Sequence, residues 1–235
     1  AFAATSSPTK VNVKSATAKS LTYNAKSQTT TIVVNGKTLT LNKDFKVVSG
    51  SLKATKAGTY TVKIKGIGNY SGDTTVKYTV NAQQSYKATA AAKTYNAKNQ
   101  TTKVTVKYGN TVLKRGTDYK ITGVTRAKNA GKYKITVKGI NNYKGTKTIY
   151  YTINKAAQKS VKVKVNASKK KITVSGVKAK AKVTYKSANK KVKVKNGKIT
   201  VGKGVKKGTK VRITVKVAAT KNYKAYSKSI IYKVK

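Results

Sequence analysis

One stretch of this chain occurs twice. AGTYTVKIKGIGNYSG, from Ala57 to Gly72, returns as AGKYKITVKGINNYKG from Ala130 to Gly145, with nine of sixteen positions identical. The likeness extends on both sides. LTYNAKSQTTTIVV (Leu21 to Val34) matches KTYNAKNQTTKVTV (Lys93 to Val106), KDFKV (Lys43 to Val47) matches TDYKI (Thr117 to Ile121), and TTVKYTVN (Thr74 to Asn81) matches KTIYYTIN (Lys147 to Asn154). A chain that repeats itself over such a length builds the same supersecondary unit again, so it must fold as tandem modules. The end of the chain, GTKVRITVKVAATKNYKAYSKSIIYKV, keeps a strand, an Asn-Tyr step and a closing strand, which marks a third and more distant unit.

The division that follows is a short tail over residues 1–7, repeat units over 8–81 and 82–155, and a divergent third unit over 156–235. The joints NAQQS (Asn81 to Ser85) and NKAAQKS (Asn154 to Ser160) hold neither Gly nor Pro and are too short to be loose tethers. Within each unit the pattern is β. VKVKV (Val161 to Val165) alternates strictly, while IVVNGKTLTL and KVKVKNGKITV each set two alternating runs about an Asn-Gly pair. Asn-Gly tolerates the positive φ angles of a type I′ hairpin turn. Alternation turns Val and Ile to one face and Lys or Thr to the other. The expected fold class is therefore all-β: three tandem small immunoglobulin-like β-sandwich domains in an elongated rod. Strands of about eight to ten residues would give a rod on the order of 100 Å.

Charge is the second constraint. The chain has 54 Lys plus Arg against three acids (Asp44, Asp73, Asp118), a net charge of +51. The last unit alone carries 26 bases and no acid. Only Arg115, Arg126 and Arg212 are arginine. Lysine is a hydrated point charge and lacks the planar fork that reads bases, so the bias favours diffuse adhesion to a polyanion over sequence readout. Cysteine is absent, which excludes a disulfide framework and thiolate metal sites. Ala1-Phe2-Ala3 has the small-x-small form of a signal-peptidase site, and with it secretion is expected.

The residues YNAK.QTT.V.V, Thr117-Asp118-Tyr119, Ala130-Gly131-x-Tyr133 and Asn142-Tyr143-x-Gly145 resemble the bacterial immunoglobulin-like repeats of secreted and cell-surface proteins of Gram-positive bacteria. The third unit resembles a related class through VKVKNGKITVGKGVKKGTKVRITVKV. The resemblance implies stalks, adhesins and wall-associated modules without chemistry of their own. Related repeats mix acids with lysines, whereas this chain does not. The sequence shows no LPxTG-like sorting motif, so electrostatic retention at the wall is the expectation.

Catalysis has little to work with. General acid–base chemistry needs His or paired carboxylates, and the chain has no His and no Glu. Asp44 and Asp118 occupy the same position in successive units and do not converge; their expected role is to tie a loop before the next strand. No cofactor, no metal and no enzymatic activity are expected. VGKGVKKG (Val201 to Gly208) lacks the strand-to-helix context of a phosphate-binding loop. Tyr60, Tyr70, Tyr133, Tyr143 and Tyr223 are expected to pack.

The candidate binding residues are Lys169, Lys170, Lys171, Lys190, Lys191, Lys193, Lys195, Lys206 and Lys207, all in the third unit. A whole unit with bases and no acid exceeds what solubility requires. The expected partners are anionic polymers: wall teichoic acid, acidic host glycans, or DNA bound non-specifically. Two further readings stand beside this one, a subunit of a filament assembled end to end and a secreted ligand of a host receptor. The invariant positions of the twice-written stretch (Gly, Tyr, Ile, Asn) are scaffold types. Its variable ones drift to lysine, as Thr59, Thr61 and Ser71 become Lys132, Lys134 and Lys144.

Overall fold

The structure, a computed structural model, describes residues 8–235; the Ala1-Phe2-Ala3 expectation lies outside them. Both Asn-Gly pairs form the expected hairpins. Asn35 (φ 49°) and Gly36 (φ 77°) join Ile32–Val34 to Lys37–Thr38, and Asn196 (φ 50°) and Gly197 (φ 82°) join Val192–Lys195 to Lys198–Val201. Two consecutive positive φ angles define the type I′ turn whose twist matches the flanking strands.

The chain forms two compact units. One runs through Thr89 and adds Thr105–Thr122 and Thr136–Ile149; the other consists of Ala90–Val104, Gly123–Ile135 and Tyr150–Lys235. The first contains all of the first repeat. Its four-stranded sheet has the order Leu21–Thr22, Asp73–Asn81, Gly58–Gly66, Phe45–Ser49. The long central pair is antiparallel, and Leu21–Thr22 runs parallel to the end of Asp73–Asn81. Thr17–Ala18, Ile32–Val34 and Lys37–Thr38 make the facing three-stranded sheet. Between the sheets lie Val13, Ile32, Val34, Phe45, Val62, Ile64, Val76, Tyr78 and Val80, every one from this repeat. Its core and sheets are thus complete without the rest of the chain, the property of a domain that folds alone. The second repeat shows the same four-stranded order: Lys93–Thr94, Thr146–Asn154, Gly131–Gly139, Tyr119–Gly123.

The third domain belongs wholly to the second compact unit. Its strands pair in the order Lys162–Asn166, Lys171–Ser175, Lys198–Val201, Val192–Lys195 in one sheet. The other sheet has the order Val183–Ser187, Lys210–Val217, Tyr226–Lys233. Lettered A to G along the chain, these are A-B-E-D and C-F-G, the constant-type immunoglobulin arrangement. The core is Ile172, Val192, Ile199, Val211, Ile213, Val215 and Tyr232.

Strand length departs from expectation. Among the described residues, eight- or nine-residue strands occur only as the paired strands Gly58–Gly66 with Asp73–Asn81, Gly131–Gly139 with Thr146–Asn154, and Lys210–Val217 with Tyr226–Lys233; the others have two to five residues. Left-handed residues lie in the loops between the short strands, at Ala25 and Asn42 in the first repeat and at Ala97 in the second.

Candidate functional site

All nine lysines singled out in the sequence are exposed. Strand register decides which of them meet. On Lys162–Asn166, Lys171–Ser175, Lys198–Val201 and Val192–Lys195, alternate residues face outward. Asn166 pairs with Lys171, Lys171 with Lys198, and Lys198 with Lys195. Three lysines therefore stand side by side on three adjacent strands, at an interstrand spacing of about 4.8 Å. The next row places Thr200 beside Lys193, and the turn holding Lys169 and Lys170 runs against it, fixed by Ile199 N–H donating to the Lys170 carbonyl at 2.8 Å. Like charges directly opposite on a sheet repel.

Lys191 continues the line of Val192–Lys195, where Gly202 N–H donates to its carbonyl at 2.6 Å. Lys190 and Lys193 line a hollow of about 380 Å³ together with Tyr185, Lys186, Ser187 and Asn189. Burial pushes the Tyr185 phenol above its ordinary value, so it stays neutral beside these cations. Lys206 and Lys207 do not join this face. Their loop is tied to the other sheet through Gly208 N–H donating to the Val234 carbonyl at 2.7 Å. The register supplies Lys198 and the hollow supplies Lys186, two lysines that clustering in sequence passes over. The signal for Lys198 was present, since a two-residue turn at Asn196-Gly197 pairs Lys195 with Lys198.

Asp44 and Asp118 tie loops, as expected. Each carboxylate Oδ2 accepts a backbone N–H four residues earlier, from Thr40 and Lys114 respectively, both at 2.8 Å. Among the described residues no group of three or more His, Cys, Asp or Glu side chains could hold a metal.

Tyrosines pack, in two ways. Tyr60 stacks on Tyr78, and Tyr133 on Tyr151, each pair with centroids 5.3 Å apart. Tyr143 and Tyr223 instead join consecutive repeats, and each compact unit contains one such junction. In the first, Ala57 N–H donates to Asn142 Oδ1 at 2.9 Å, and Tyr23 meets Tyr143 edge-on at 5.4 Å. Gln83 secures the joint: its Nε2 donates to the Tyr23 carbonyl at 2.8 Å, while its backbone N–H donates to the Asn142 carbonyl at 2.9 Å. In the second, Ala130 N–H donates to Asn222 Oδ1 at 2.8 Å, and Tyr95 meets Tyr223 edge-on at 5.5 Å. Asn222 Nδ2 also reaches Asn129 Oδ1 at 3.2 Å. Burial, followed by the neighbouring Tyr23, raises the Tyr143 phenol well above its ordinary value.

No family model matches the chain, and no curated protein matches it significantly. Among solved structures it is similar to Drosophila OTK extracellular domains 3–5 (TM-score 0.31, 8% identity, 92% of this chain and 94% of that one). It is also similar to Sidekick-1 immunoglobulin domains 1–5 (TM-score 0.25, 12% identity, 93% and 57%) and to the human desmocollin-1 ectodomain (TM-score 0.23, 9% identity, 96% and 57%). The immunoglobulin-like assignment rests on the strand order and register given above.

Proposed function

We propose that this is a non-catalytic extracellular adhesion or structural protein of the Gram-positive cell surface that binds anionic polymers through the outer face of its third domain. The observation that carries the reading is the row Lys171–Lys198–Lys195, on a domain with 26 bases and no acid. An anionic chain laid across the row gains attraction and relieves the repulsion between neighbouring lysines, so binding also stabilises the domain. The use of lysine over arginine suits wall teichoic acid, acidic host glycans or DNA held without sequence preference. Lys169, Lys170 and Lys193 extend the face, and Lys186 with Lys190 lines the hollow beside it.

The test is a binding series with heparin, teichoic acid and single-stranded DNA at low salt. Binding to at least one of them, lost by about 0.5 M salt, supports the reading. Failure of all three, or affinity indifferent to salt, sinks it.

A further inference from the structure

Fifteen of the sixteen tyrosines are buried or half-buried; Tyr150 alone is exposed, at 51%. It stands on the outer face of the second repeat's long strand pair, opposite to the inner face on which Tyr133 stacks on Tyr151. The Lys132 ammonium sits over its ring, 4.5 Å from the centroid. The first repeat shows what the scaffold itself requires at these places. Lys77 stands there for Tyr150 and Thr59 for Lys132, whereas Tyr78 is kept as Tyr151 and Thr79 as Thr152. Both members of the pair are therefore additions of the second repeat, at positions that the fold leaves free. The first repeat's register sets Lys77 opposite Thr61 and Thr79 opposite Thr59. Carried over, it sets Tyr150 opposite Lys134 and Thr152 opposite Lys132, with Lys132 reaching the ring along the diagonal. Lys132, Lys134 and Thr152 are exposed, and all four residues belong to the second compact unit. The repeat has a single acid, Asp118, which is engaged in its own loop.

We propose that Tyr150, Lys132 and Lys134 form a second binding site, separate from the lysine face of the third domain, which takes a pyranose bearing a carboxylate or sulfate. An aromatic ring presents a negative face, and the C–H groups along one side of a pyranose complement it. A cation–π contact at an exposed site is weak. The sugar's anionic group therefore draws the Lys132 ammonium off the ring, and its C–H side takes the vacated place. Lys134 supplies a second positive charge, and the Thr152 hydroxyl offers a donor and an acceptor to the sugar's hydroxyls. A single-stranded nucleic acid fits less well, because its successive bases stack on several aromatics and Tyr150 has no exposed aromatic companion among the described residues. A protein partner would be anchored by a cluster of large side chains, whereas the outward neighbours here are two lysines and a threonine.

The experiment is an NMR titration of the full chain, read at the Lys132 and Thr152 amide signals. The probes are trigalacturonate and a heparin tetrasaccharide, with inorganic tripolyphosphate as an anion that has no sugar ring. The stronger sugar identifies the anionic group as carboxylate or sulfate. Tyr150→Lys restores the first repeat's residue and adds a charge, so a merely electrostatic surface would bind every anion more tightly. The proposal predicts the opposite for the preferred sugar, a weakening of about fivefold, with tripolyphosphate held at least as well as by the parent. The sugar's C–H signals should move upfield with the parent and with Tyr150→Phe, and should stay in place with Tyr150→Lys. Absence of sugar binding at these signals, sugar affinity unchanged or raised in Tyr150→Lys, or a stronger response to single-stranded DNA than to either sugar overturns the proposal. These signals lie outside the third domain, so this site and the proposed lysine face succeed or fail separately.

Discussion

The Asn142 side chain accepts the backbone N–H of Ala57 at 2.9 Å across 85 residues of sequence, and Asn222 does the same for Ala130 across 92. One part-buried hydrogen bond of this kind contributes about 1 kcal/mol. Asn142→Ala should lower the stability of the first compact unit by that amount and speed amide exchange at Ala57 about fivefold. Asn69→Ala, at an exposed position, should change stability by no more than about 0.5 kcal/mol. Amide exchange followed by NMR checks both.

Tyr143 gives the first junction a pH dependence at the alkaline end. Burial raises its folded value above that of the unfolded chain, about 10, so the neutral phenol is the form that the fold prefers. The stability it contributes is fully present below the unfolded value and is lost as pH rises through the folded one. The parent's own alkaline profile sums the contributions of the whole chain. The comparison is therefore with Tyr143→Phe, whose stability relative to the parent should improve steadily above about pH 10. Chemical denaturation at several alkaline pH values reads this directly.

Asp118→Ala should loosen the loop that its carboxylate ties to the Lys114 N–H, at a cost of about 1 kcal/mol in stability. The same bond assigns the acid a loop-holding role, distinct from the proton-transfer role that an intramolecular Lys–Asn crosslink would need from a buried acid. The intact mass of the protein should equal the sequence mass, with no loss of ammonia or water.

Two glycines separate conformational cost from steric cost. A Cβ at Gly36 (φ 77°) meets nothing within 4 Å, so Gly36→Ala should cost about 1 kcal/mol for the left-handed backbone alone. Gly197 (φ 82°) turns the hairpin that carries Lys195 and Lys198, and a Cβ there runs into the Ile172 carbonyl oxygen. Gly197→Ala should cost about 2 kcal/mol or more and should weaken anion binding with it. Thermal melts of the two variants decide.

The sandwiches were legible because their information is local: Val-Lys alternation and Asn-Gly turns specify strands within ten residues of each other. The third domain's hairpin even contained its own register, from which Lys198 could have been added to the lysines chosen by clustering. Lys206 and Lys207 show the limit of clustering, since proximity in sequence to Val201 says nothing about which sheet their loop joins. The junctions were hidden for a different reason. Asn142 and Tyr143 look like turn and core residues, and nothing within the repeat shows that the amide reaches Ala57 in its neighbour. Repetition preserves both halves equally, so scaffold and coupling leave the same trace in the sequence.

The most direct test of the account is the salt dependence of polyanion binding by the chain and by its Lys171→Gln/Lys195→Gln/Lys198→Gln variant. Each phosphate contact adds about 0.7 to 0.9 to the slope of log affinity against log salt. With single-stranded DNA as the probe, the variant should bind more weakly and its slope should flatten by about two. Lys206→Gln/Lys207→Gln, off the face, should change it less. Equal affinity and equal slope in the parent and the triple variant would contradict the assignment of binding to this face.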